Sequence, residues 1–271
     1  MSKNQPEKAY KNLPFLNSPG ARPIRILCEY EEPLQRFEQY NIDDTLVFFG
    51  SARAKPPAEA EQALKDARAA DDGSPAARKA VSRAEGGVKL ARYYDDAREL
   101  ARRLTAWSMS RQHLGRNYLV CTGGGPGIME AANRGAADVA GGRSVGLGIS
   151  LPFEQGVNEW VTPELAFEFH YFFTRKYWFM YLMKAMIVFP GGFGTLDELF
   201  ECLTLIQTGK MNQQIPIMLY GTSFWEGLID LEALADAGTI SPEDADMVFR
   251  CDSVDEAFDW ITRQIIATES A

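Results

Sequence analysis

The chain has 271 residues, 46% of them hydrophobic, which allows one large core and, by length alone, one or two domains. A formal net charge of −9 excludes wholesale nucleic-acid binding, whereas a phosphorylated small molecule needs only a local positive site. No apolar run reaches the roughly 18 residues of a membrane span. The opening MSKNQPEKAYKNLP lacks the apolar core of a signal peptide, so a cytoplasmic location with no membrane partner is expected. Cys28, Cys121, Cys202 and Cys251 lie far apart without a CxxC pair, and His113 and His170 are the only histidines. No metal site is therefore expected, and Cys121 and Cys202, set in apolar patterns, read as buried thiols.

Residues 1–40 hold five of the fourteen prolines and little periodicity, and read as an arm over the core or over a partner subunit. The remainder, 41–271, reads as a single domain. Thr45–Gly50 (TLVFFG) is the first strand, followed at once by Ser51. In a parallel sheet, residues just past a strand's carboxyl end line the ligand crevice. Ser51 is thus a candidate phosphate or ribose contact, with a turn or helix-capping serine as the alternative. The low-complexity stretch at about 55–87 reads as a helical insertion of one or two solvated helices broken by DDGSP and GG. From Val88 an amphipathic helix is expected to pack on the sheet.

Tyr118–Thr122 is a second strand running into Gly123-Gly124-Gly125-Pro126-Gly127, and Ile128–Ala140 a helix. The glycines let main-chain N–H groups approach a phosphate, making Gly124 and Gly125 candidate contacts. Glu130 either reaches the ligand from the first turn or only complements the helix dipole. The dinucleotide spacing is absent and no acidic residue ends the next strand, so NAD is disfavoured. Ser144–Ile149 is a third strand, followed by a loop over Ser150–Pro163.

Phe167–Tyr181 carries nine aromatics in fifteen residues, a density that suits core packing, a subunit interface or a wall for a base. Thr174-Arg175-Lys176 is expected to open a helix leading to Lys184; a basic pair there opposes the dipole, which fits either a functional placement or a solvated pair. Met186–Phe189 is a buried strand, and Pro190-Gly191-Gly192-Phe193-Gly194 leads into a helix opened by Thr195. This second strand–glycine loop–helix unit is another anion site, to which Gly191, Gly192, Gly194 and Thr195 would contribute. Glu198, one turn in, is unusual company for a phosphate. Thr195-x-x-Glu198 also has capping-box spacing. Ile215–Tyr220, helix Trp225–Ala237, a helix begun by Ser241-Pro242, strand Met247–Cys251 and helix Val254–Ala267 complete a doubly wound, mostly parallel, Rossmann-like α/β pattern.

GGGPGIMEAANRGA at 123–136, PGGFGTLDE at 190–198 and TRK at 174–176 between them resemble the Lonely Guy (LOG) family, long described as lysine decarboxylases. The resemblance spans roughly 46–265, with the arm and the 55–87 insertion outside the short plant-type pattern, as in a longer bacterial form. It implies a phosphoribohydrolase that cuts the N-glycosidic bond of a nucleoside 5′-monophosphate, such as a cytokinin nucleotide or AMP, without a cofactor. It also implies Arg175 and Glu198 as catalytic residues, Lys176 beside them as a substrate-binding residue, Gly191, Gly192, Gly194 and Thr195 as the phosphate loop, and a homodimer or higher homo-oligomer. Tyr177-Trp178 departs from the small residue and glutamate of the short members. A non-catalytic nucleotide- or cofactor-binding carrier of the same fold is the alternative. A pyridoxal-phosphate decarboxylase is disfavoured, because no lysine stands in a Schiff-base context.

Overall fold

The computed structural model describes residues 6–151, 156–211 and 215–269. In chain order the elements are α1 (Leu13–Leu16), α2 (Arg22–Gln39), β1 (Asp44–Phe49), α3 (Pro57–Ala69), α4 (Pro75–Ser110), β2 (Tyr118–Thr122) and α5 (Ile128–Ala137). There follow β3 (Ser144–Ile149), β4 (Ala166–Phe169), α6 (Phe172–Tyr181), β5 (Met183–Val188), α7 (Phe193–Gln207) and β6 (Ile217–Tyr220). Short helices α8 (Thr222–Glu226), α9 (Leu231–Asp236) and α10 (Pro242–Ala245) precede β7 (Val248–Cys251) and α11 (Val254–Glu269).

The seven strands form one sheet in the order β4-β3-β2-β1-β5-β6-β7, and every pairing is parallel. Such a sheet is covered on both faces, which is why its strands read as unbroken apolar runs. Val47 and Phe49 of β1 face a core shared with α2, α6 and α7; Leu46 and Phe48 face the other, shared with α4, α5 and α11. From β1 the chain winds outward through β2 and β3 to β4, then returns to lay β5 on the opposite side of β1. Loops leaving β1 and β5 therefore diverge, and a crevice opens between them at the carboxyl ends. Gly125 and Gly192, from the two glycine loops, line that one crevice. The doubly wound expectation holds.

Several elements differ from the sequence reading. Gly86-Gly87 do not break the chain; α4 runs on from Pro75, capped by the Ser74 hydroxyl. Within residues 1–40, Arg22–Gln39 is helical and buries Phe37 against Phe167 and Trp178. The aromatic stretch divides into β4 and α6, and Lys184 lies on β5 rather than on the helix begun by Phe172. The expected 225–237 helix is two short ones, α8 and α9, interrupted after Glu226. Part of the expected loop 150–163, residues 152–155, lies outside the described residues.

Candidate active site

A cavity of about 780 Å³ occupies the crevice. It is floored by the ends of β1 and β5 and walled by the first turns of α6 and α7. The β1 loop is joined to both glycine loops through backbone: Ser51 N–H donates to Pro190 O at 2.9 Å, and Ile128 N–H donates to Ser51 O at 3.1 Å. Gly127 makes this approach feasible, with φ of 74° and no room for a Cβ against Ser51 and Ala52. Ser51 lines the cavity, and its Oγ accepts the N–H of Arg53 at 3.1 Å, the bond of a turn serine. Arg53 also lines the cavity and was not singled out from sequence.

The Gly123–Gly127 loop is held by amides that sequence reasoning missed. Asn158 Nδ2 donates to Gly124 O (3.0 Å), Gly125 O (3.1 Å) and Asn133 Oδ1 (3.0 Å), while Thr122 Oγ1 donates to Asn133 Oδ1 and accepts from Gly124 N. A fully buried asparagine amid the alanines of α5 was the available signal; Asn158, in a loop, left none. Gly125 reaches the cavity, whereas Gly124 is not among the residues lining it. Glu130 turns away and accepts the Tyr94 hydroxyl at 2.8 Å. Burial and that bond push the Tyr94 phenol up to about 12.

Gly191, Gly192, Gly194 and Thr195 all line the cavity. Gly191 abuts the Thr195 side chain so closely that a Cβ would overlap Oγ1. Helix α7 starts at Phe193 with Gly192 as N-cap and no side-chain cap, so Thr195 and Glu198 form no capping box. The helix begins three residues earlier than that spacing requires, with Gly192 rather than Thr195 as N-cap, and Glu198 lies in the cavity wall. It is 4% exposed, and its Oε2 meets no hydrogen-bond partner among the described residues. Burial pushes its carboxyl up to about 7; Lys176 and Arg175 pull it down, and Glu201 and Asp197 push it further up. The positive end of the helix dipole favours the ionised form. Desolvation outweighs it.

Helix α6 separates the basic pair. Arg175 faces the cavity, its Nε donating to Leu147 O at 2.7 Å and its guanidinium lying beside Gly123. Lys176 is not at the cavity; it bridges Asp197 (2.8 Å) and Glu201 (2.7 Å) of α7, fastening α6 to α7. Cys121 and Cys202 are buried, as expected. Among the described residues no cluster of metal-ligating side chains occurs, and no helix is long and apolar enough to cross a membrane.

A parallel doubly wound sheet with two glycine loops at its switch point, and a guanidinium and a buried carboxyl in one cavity, places the chain in the Rossmann-like α/β class. The family model described as "Possible lysine decarboxylase" matches residues 129–261. The chain is 31% identical over 144 residues to the cytokinin riboside 5′-monophosphate phosphoribohydrolase of Mycobacterium tuberculosis (strain ATCC 25618 / H37Rv), covering 53% of this chain and 76% of that protein. The chain belongs to this family, the LOG family. A solved structure, the structural-genomics X-ray model of TM1055, is similar at a TM-score of 0.47 and 19% identity, over 81% of this chain and 99% of its own.

Proposed function

We propose that the protein is a phosphoribohydrolase that cleaves the N-glycosidic bond of a nucleoside 5′-monophosphate, a cytokinin nucleotide or AMP, giving free base and ribose 5-phosphate. The observation carrying this reading is the placement of Glu198: a buried carboxyl one turn inside the helix whose glycine loop would hold the phosphate. A carboxylate is a poor neighbour for a bound phosphate but a good one for the positive charge that develops on ribose as the bond breaks. In its ionised form Glu198 stabilises that oxocarbenium-like state and accepts a proton from the attacking water. Main-chain N–H groups of Gly192, Gly194 and Thr195, at the positive end of α7, hold the 5′-phosphate. Binding energy collected there is used to orient the reacting carbon. Arg175, across the same cavity, steadies the departing base or the phosphate and favours the ionised carboxylate.

The exposed rings of Phe172, Tyr177 and Tyr181 on α6, with Phe193 93% exposed at the loop tip, support a homo-oligomer of at least two subunits that covers this side of the cavity. The test of the activity is incubation of the pure protein with a panel of nucleoside 5′-monophosphates, separating base from nucleotide by chromatography. Release of free base with ribose 5-phosphate is the expected result. Tight nucleotide binding without base release throughout the panel would instead assign a carrier.

A further inference from the structure

Helix α6 has no cap of its own: its N-cap residue is Tyr171, whose side chain makes no capping bond. The first N–H groups of a helix need partners from elsewhere. Glu29 on α2, 141 residues before His170, meets the chain at the N-cap and the residue ahead of it. Glu29 Oε1 accepts the N–H of His170 at 2.8 Å, and Oε2 accepts the N–H of Tyr171 at 3.3 Å and the hydroxyl of Thr174. The Glu29 main-chain oxygen accepts Trp178 Nε1 at 2.8 Å, one turn further on. Thr174 directly precedes Arg175. A carboxylate at this helix end also offsets the cost of setting Arg175 and Lys176 against the positive dipole.

We propose that Glu29 is a positioning residue for Arg175: by capping α6 from α2 it holds the guanidinium against the Gly123–Gly125 loop and opposite Glu198. The segment carrying Glu29 lies outside the short plant-type pattern, so the N-terminal region takes part in building the site. Other contacts keep α2 docked when Glu29 is changed. Arg36 Nη1 donates to Ala166 O at 2.7 Å, and the Phe37 ring lies 5.3 Å from Trp178. The kinetic consequence rests on the hydrolase reading; the geometric one does not.

Two measurements on the full chain test it. In base release from AMP, Glu29→Ala should lower kcat about tenfold or more with a smaller change in KM, as expected for a misplaced catalytic group. The same substitution in an Arg175→Ala background should cost almost nothing further, because the two residues act as one unit. Glu29→Gln, which keeps an acceptor for the cap, should fall between. Independently of catalysis, carbon-detected NMR titration follows the Glu198 carboxyl, whose charged neighbours are Lys176 and Arg175 of α6 and Asp197 and Glu201 of α7. With Arg175 displaced, Glu29→Ala should raise that pKa by roughly half a unit or more, whereas mere loss of the Glu29 charge would lower it. An unchanged or lowered pKa, or equal losses of kcat with and without Arg175, would overturn the proposal. A wild-type protein that releases no base defeats the hydrolase reading alone, and the titration then decides for or against Glu29.

Discussion

At Glu198 the cost of burial exceeds the help of two nearby cations, and the carboxyl rises from 4.5 to about 7. Between those values the folded chain keeps a proton that the unfolded chain has released. Stability from this group is therefore greatest below 4.5 and falls as pH rises towards 7, to a penalty of about 3 kcal/mol in the ionised state. Glu198→Gln removes that penalty. It should raise Tm clearly at pH 8 and less at pH 5; thermal melts giving a lower Tm at pH 8 would contradict the account. Because the ionised form is the one assigned to catalysis, kcat/KM should climb as pH rises through about 7, read from initial rates between pH 5 and 9. A bound cation or ligand charge shifts this limb; a profile flat over that interval would contradict it. The sequence made Arg175, Glu198 and the glycine loop legible because a charge against a helix dipole and a carboxylate beside an anion loop are local oddities. It left Glu29, Asn133 and Asn158 hidden as partners, since their bonds join segments far apart in the chain.

At the scale of elements, two glycines in helices have opposite meanings. Gly135 in α5 lies against the α4 backbone, where a Cβ would overlap Arg98 O. Gly135→Ala must push the helices apart and should cost about 1–3 kcal/mol. Gly86, inside α4, has nothing within 4 Å of such a Cβ, so Gly86→Ala should stabilise by about 1 kcal/mol through better helix propensity. Urea unfolding of both variants measures the two effects; the same sign for both would refute the packing argument. The contrast also explains why the 36-residue α4 was not legible as one helix. A glycine pair looks like a break in sequence, but in the helix it costs only propensity, which packing of α4 on α3, α5 and the sheet offsets. Strand β4 was missed because its four residues sit among aromatics that fit a helix or a strand equally.

At the scale of the whole molecule, the parallel order followed from alternation of apolar runs and helices, and the crevice from the reversal of winding between β1 and β5. The proposed assembly covers the rings exposed on α6 and at Phe193, and it predicts that sedimentation at micromolar concentration shows a species of at least twice 30.2 kDa. A monomer alone would contradict the assembly. The central claim, that the carboxyl beside the phosphate loop performs the cleavage, is tested most directly by comparing wild type and Glu198→Gln in base release from the best nucleotide of the panel, with nucleotide Kd measured alongside. The account predicts a folded variant with a near-unchanged Kd and turnover lower by about a hundredfold or more. A folded Glu198→Gln protein releasing base at the wild-type rate would contradict it.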